Sequence, residues 1–167
     1  LHYKEVTFNG KDRKRGVLSD LAKVYDPLGF LLPLAIRGRL LLQNLWKAGV
    51  KWDDPLSAEH LTEWRQLIAD LLNGLSLGLP RTMTCESSVI LHIFCDASPR
   101  AYGAVSYITF LENKIKGISK FVIAKARVAP IKMLKTIPHL ELTCILLGAR
   151  LVRYVKEAYL EELNLEK

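Results

Sequence analysis

The sequence predicts an α/β protein in two parts: a helical N-terminal region over residues 1–85, then an antiparallel three-stranded sheet with a covering helix over residues 86–167. Three observations predict it. Apolar residues in the first part recur at three- and four-residue steps, the period of a helix face. Between residues 89 and 125, β-branched and aromatic residues gather in short runs separated by turn formers, which is strand composition. Helical spacing then returns after Pro138. The change of period falls in PRTMTCESS, residues 80–88, which makes that stretch the candidate boundary. With half of its 167 residues hydrophobic, the chain can form a real core, as one ordinary domain or two small ones.

Residues 1–16 mix basic side chains with Asn9-Gly10 and Gly16, a strand-turn or an exposed lead-in. Ser19 can cap a short helix over 20–25, which must stop before Pro27 because the residue preceding proline is pushed out of helical geometry. YDPLGFLLP then reads as a buried, turning connection. A second helix is expected from Pro33 to about residue 48, apolar at Ile36, Leu40, Leu41 and Leu45, with Arg37 and Arg39 on its other side and Gly49 placed to end it. WDDPLS offers two caps for the third helix, Asp54 before Pro55, or Ser57. That helix carries the clearest stripe, Leu61, Trp64, Leu67, Ile68, Leu71, Leu72 and Leu75; such a stripe is core rather than ligand site.

Residues 89–95, VILHIFC, are too short and too rich in β-branched and aromatic residues for a helix, and predict a strand covered on both faces. Asp96 stands at its end. DASPRAYG is a turn, and residues 104–110 return as the antiparallel partner. Two readings of Asp96 stay open: an Asx-turn bonding the backbone at Ser98, or a functional carboxylate. Residues 117–125 form the third strand, and 127–135 a basic connection interrupted by Pro130. Pro138 belongs to the first turn of the last helix, which runs through Val155 into a polar tail. Glu141 is unusual there. Helical steps from it reach Cys144, Ile145, Gly148, Val152 and Val155, which predicts that this carboxylate shares the core-facing side, and the nearby helix N-terminus favours its charge.

The chain starts at Leu1 without a charged-then-apolar leader and reads as a piece of a longer one. Its longest apolar run, 28–36, contains Pro33 and is closed by Arg37 and Arg39, too short to span a bilayer, so no membrane partner is expected. Cys85, Cys95 and Cys144 lack CxxC pairing or zinc-ligand spacing and predict reduced thiols of an intracellular protein. The net charge is +7, and residues 113–140 contain no acid but seven cations: Lys114, Lys116, Lys120, Lys125, Arg127, Lys132 and Lys135. Such a stripe suits a polyanion bound along its backbone, although edge strands also carry lysine to discourage pairing with other chains.

Asp96 at a strand end and Glu141 near a helix start form a donor pair for a hard divalent cation, magnesium or manganese. Both are expected to point into one cleft across the sheet–helix interface. In LSDLAKVYDPLGFLLPLAIRGRLLLQNLW, KWDDPL, FCDAS, AYGAVSY, AKARVAP, TIPHLEL and LLGARL the chain closely resembles the polyproteins of Bel/Pao-type long-terminal-repeat retrotransposons, at the end of the reverse transcriptase and the N-terminal part of the ribonuclease H-like domain. The resemblance implies a truncated ribonuclease H-like fold with Asp96 and Glu141 as catalytic, metal-binding acids. It implies Mg2+ (or Mn2+), an RNA–DNA hybrid as substrate, and two-metal hydrolysis of its RNA strand. The nucleic-acid contacts would be Lys120, Lys125, Arg127, Lys132 and Lys135, with 2′-hydroxyl contacts selecting RNA. The partner would be the rest of the Pol polyprotein, in a cytoplasmic particle or the nucleus.

The family's remaining acids come later, so this stretch alone is expected to be inactive; Glu157, Glu161 and Glu162 belong to a solvated face. Ala126 stands where the family often has Ser, and His139 where it often has Arg, which makes His139 a structural or substrate-edge residue rather than a proton shuttle. The alternatives are a catalytically dead nucleic-acid-binding remnant or domesticated module, and an aspartic peptidase. The peptidase needs Asp-Thr/Ser-Gly, whereas Asp96 is followed by Ala97-Ser98, and no GxSxG serine elbow occurs either.

Overall fold

The computed structural model describes residues 6–8, 12–76, 89–112, 116–131 and 136–159. Two compact units divide the chain, Leu1–Pro80 and Arg81–Lys167. The expected boundary at 85/86 lies outside the described residues. Among those described, the first unit is built from α1 (Lys14–Ala22), α2 (Leu32–Lys47) and α3 (Ala58–Leu75). Val17 of α1, Leu41 and Leu45 of α2, Leu56, and Trp64, Leu67 and Leu71 of α3 form one buried cluster, the stripe that helical spacing predicts.

The local chemistry of each helix start differs. Ser57 rather than Asp54 caps α3, its side chain accepting from the His60 N–H. Leu31 leaves α2 without a side-chain cap, and Asp26 substitutes: its carboxylate accepts from the N–H groups of Gly29, Phe30 and Leu31 at 3.1, 3.0 and 2.8 Å. Gly29 takes φ 77° in that turn, a conformation side chains disfavour. α1 starts at Lys14 rather than near residue 20, with Ser19 inside it. The cause is tertiary: Lys14 is buried, its Nζ donates to the Val50 carbonyl at 2.8 Å, and it lies 3.5 Å from the Trp46 ring centroid. The Arg15 N–H donates to the Trp52 carbonyl at 3.0 Å, so the helix start is held from outside.

The second unit contains β1 (Val89–Ala97), β2 (Ala101–Glu112), β3 (Lys116–Val128) and α4 (Ile137–Tyr159) among the described residues. The strands are antiparallel in the order β1-β2-β3. The fold is therefore mixed α/β, consistent with a truncated ribonuclease H-like arrangement. One row of the register, Asp96–Gly103–Ala126, matters below. A bulge interrupts the β2–β3 register between Ser106 and Tyr107.

α4 packs on β1 and β2, and the core lies between helix and sheet: Ala104, Ile108, Phe110, Val122, Ile123, Leu151 and Val155. Gly148 permits the close approach, because a Cβ there would stand 2.3 Å from the Cys95 Sγ. The expectation that residues 89–95 are covered on both faces is corrected. The face away from α4 is open, with Ile90 44% and Phe94 59% exposed. His92 stacks with Phe94, and Tyr107 meets both Phe94 and Phe121 edge-on at 6.1 and 5.9 Å between centroids. Aromatic and β-branched residues favour the pleated surface through such cross-strand neighbours, covered or not, so composition alone overstated the burial. No described helix is long and apolar enough to cross a membrane.

Candidate active site at the end of the sheet

Asp96 is the next-to-last residue of β1 and is exposed. The Asx-turn reading does not hold, because Ser98 makes the turn. The Ser98 N–H and Oγ both donate to the Ala101 carbonyl, at 2.8 and 2.9 Å, and the Oγ accepts from the N–H groups of Arg100 and Ala101. The Asp96 carboxylate has no hydrogen-bond or ion-pair partner among the described residues.

Glu141 is the fifth residue of α4, and it too is exposed, which corrects the expectation that it shares the core-facing side. The buried seam runs through Leu140, Cys144, Gly148, Leu151 and Val155, while Ile145, one turn after Glu141, is 59% exposed. Successive helix residues turn by roughly 100°, so a seam centred one position away moves Glu141 to the flank.

Cys144 links the two acids' elements. Its buried Sγ lies 3.1 Å from the Asp96 carbonyl and 2.8 Å from that of Gly103, donating to both. Glu141 precedes it by about 4.5 Å along the helix axis, so α4 brings Glu141 to the end of the sheet where Asp96 stands. The acids do not meet across the sheet–helix interface as expected. Cys95 faces Gly148 of α4, so strand alternation sends the Asp96 side chain off the face opposite α4. Burial first, and then the neighbouring Cys144 thiol, raise the Cys95 thiol above its ordinary pKa.

The basic stripe separates into two places. Lys125 and Arg127, both exposed, flank Ala126 in the Asp96–Gly103–Ala126 row, about 10 Å from β1 across two strand spacings. Lys120 pairs with Ile108, about 17 Å further along β2, where its Nζ lies 5.2 Å from the Phe110 centroid. Lys132 and Lys135 lie outside the described residues. Sequence reasoning missed Arg100, exposed in the Ser98 turn beside Asp96, whose carbonyl accepts from the Ala129 N–H at 2.8 Å. A cation inside the turn that follows the strand-end acid was the available signal. Gly103 and Ala126, the small residues in register with Asp96, keep the surface beside it low.

Two exposed carboxylates are hard, acceptor-only donors and fit a magnesium-type ion, which takes few carboxylates and keeps its waters. Among the described residues no three His, Cys, Asp or Glu side chains gather as a larger ligand set. The hollow of about 570 Å³ in the first unit, lined by Asp12, Arg13, Arg15, Asp20 and Asp53, is of a different kind. Arg15 with Asp53, Lys23 with Asp20 and Arg65 with Asp12 already form ion pairs there.

A family model described as Pao retrotransposon-like RNaseH-like domain matches residues 13–166. No curated protein and no solved structure matches the chain.

Proposed function

Since the chain belongs to the Pao retrotransposon-like RNaseH-like domain family, we propose that it serves within a Pol polyprotein that hydrolyses the RNA strand of RNA–DNA hybrids. The observation that supports this most is the arrangement at one end of the sheet. There Asp96 and Glu141 are exposed and without partners among the described residues, on elements tied through Cys144, with Lys125 and Arg127 flanking the row that contains Asp96. Asp96 and Glu141 would hold Mg2+ or Mn2+, with further acids of the polyprotein completing a two-metal site. When bound, such ions supply Lewis-acid stabilisation of phosphoryl charge and an activated water. Arg100, Lys125 and Arg127 would bind backbone phosphates, so hybrid affinity falls steeply with salt. The low surface at Gly103 and Ala126 would let a strand approach Asp96, and 2′-hydroxyl contacts would select RNA. The first unit is, in this reading, the tail of the reverse transcriptase.

Hybrid binding without cleavage is the second reading, and the cations at the sheet's end are all it needs. One experiment separates the two. In the polyprotein, Asp96→Asn and Glu141→Gln are each expected to reduce metal-dependent hybrid cleavage to background while circular dichroism and hybrid affinity stay unchanged. Lys125→Glu with Arg127→Glu is expected to weaken binding itself. Full cleavage by the Asp96→Asn protein would overturn the assignment, and a parent that binds hybrid but never cleaves it would establish the second reading.

A further inference from the structure

We infer that Cys95 and Cys144 are a dithiol pair that a peroxide oxidant closes into a disulfide, bolting the end of β1 to α4 between Asp96 and Glu141. Three observations converge on it. The Cys95 Sγ lies 2.3 Å from where a Cβ on Gly148 would stand, over the helical turn that starts at Cys144. The Cys144 Sγ reaches the Asp96 carbonyl, one residue beyond Cys95, at 3.1 Å. The two thiols are neighbours, close enough that, after burial, Cys144 raises the Cys95 thiol above its ordinary pKa. Because Gly148 has no side chain, helix and strand approach closely here, as a disulfide's Cα separation of roughly 4.4–6.8 Å requires. Cys95 is the exposed thiol and Cys144 the buried one, so access rather than thiolate character makes Cys95 the one that peroxide reaches first.

The step balances. The Cys95 sulfur attacks one peroxide oxygen, breaking the O–O bond and giving a sulfenic acid and one water. The Cys144 sulfur then attacks the sulfenic sulfur, forming the S–S bond and releasing the second water. Two thiols lose two electrons and two protons, and hydrogen peroxide receives them. The bridge removes the S–H that the Asp96 and Gly103 carbonyls accept. A change in cation binding by Asp96 and Glu141 follows; this consequence alone rests on the proposed function.

The full chain with Cys85→Ser, which removes the third thiol, is treated with hydrogen peroxide and mapped by non-reducing peptide mass spectrometry. The expected product is a Cys95–Cys144 cross-linked peptide pair lighter by two hydrogens, reversed by reductant and absent in Cys95→Ser and in Cys144→Ser. Oxygen added to Cys95 while Cys144 stays reduced, or bridges between two chains through Cys95, would overturn the proposal. Should Cys144→Ser fail to fold, Cys95→Ala still tests the pairing. Mn2+ binding read by electron paramagnetic resonance, before and after oxidation, is expected to weaken several-fold and recover on reduction. A bridge that forms without changing Mn2+ affinity overturns the coupling. A reduced protein that binds no Mn2+ overturns the cation site of the proposed function and leaves the mapped bridge standing.

Discussion

In the first unit the apolar stripes of α1, α2 and α3 close on one another around Trp64, whereas in the second α4 covers a single face of the sheet and leaves Ile90 and Phe94 exposed on the other. Carboxylates do not divide so cleanly: Glu157 of the second unit is ion-paired to Arg153, and Glu59 and Glu63 of the first are exposed without an ion pair among the described residues. Asp12, Asp20, Asp53 and Asp70 are ion-paired and Asp26 accepts three backbone N–H groups. Asp96 and Glu141, in the second unit, have no such partner among the described residues. A satisfied acid has its acceptor capacity occupied by the fold; an exposed, unpartnered one keeps it for a ligand. Exposure without a partner therefore does not by itself mark a site; what sets Asp96 apart is its place at the strand end tied to α4 through Cys144.

The largest effect expected from that contrast is in the closed core. Trp64→Ala should cost about 3–5 kcal/mol through the cavity it leaves. All three tryptophans, Trp46, Trp52 and Trp64, lie in the first unit, so tryptophan fluorescence during urea unfolding of the Trp64→Ala protein reports that unit alone. A cost below about 1 kcal/mol would mean that the stripe is not packed as described.

The one-sided core of the second unit gives the next effect. Ile108, fully buried under α4, should cost about 2–5 kcal/mol on replacement by alanine. Phe94→Ala on the open face should cost about 1 kcal/mol or less, the worth of an aromatic cross-strand contact. Far-ultraviolet circular dichroism through thermal unfolding measures both. Equal costs would break the comparison, since they would require the open face to be covered in solution.

Gly148→Ala is expected to cost about 1–3 kcal/mol, because its methyl would collide with the Cys95 Sγ. Cys95→Ala in the same protein should restore most of that loss. Without restoration in the double-mutant cycle, the close approach of α4 to β1 lies elsewhere.

The smallest effect is electrostatic. A hydrogen bond from Arg15 holds the Asp53 carboxyl below its ordinary pKa, and one from Arg37, then one from Gln66, do the same for Asp70. Folded-state values below the unfolded ones stabilise the first unit above the unfolded pKa of about 3.9. That contribution disappears as pH falls through the lower folded values. Asp53 is exposed and Asp70 only half-buried, so solvent screens both pairs and the effect is small. Asp53→Asn with Asp70→Asn should flatten the acid limb of the fluorescence-monitored stability curve, and an unchanged limb would assign acid unfolding to other groups.

The sequence by itself determined the order and type of the elements after the first helix, the stripe on α3, and the family, because helical and strand periods are local signals that a few neighbouring residues settle. It also placed Asp96 at a strand end and Glu141 near a helix start. Tertiary structure alone decided where α1 begins, through a lysine whose partner carbonyl is 36 residues away. It decided that one sheet face stays open and that Glu141 sits on the flank of α4 rather than in its seam. It put Cys144 against the backbone of Asp96, 48 residues earlier, and divided the basic stripe so that Lys125 and Arg127 lie at the end of the sheet that carries Asp96, on its other face, and Lys120 lies far along the strand. These features depend on which surfaces meet. A period states that a face is apolar, but its burial and the atoms it touches are set by residues distant in the chain, whose approach no local pattern encodes.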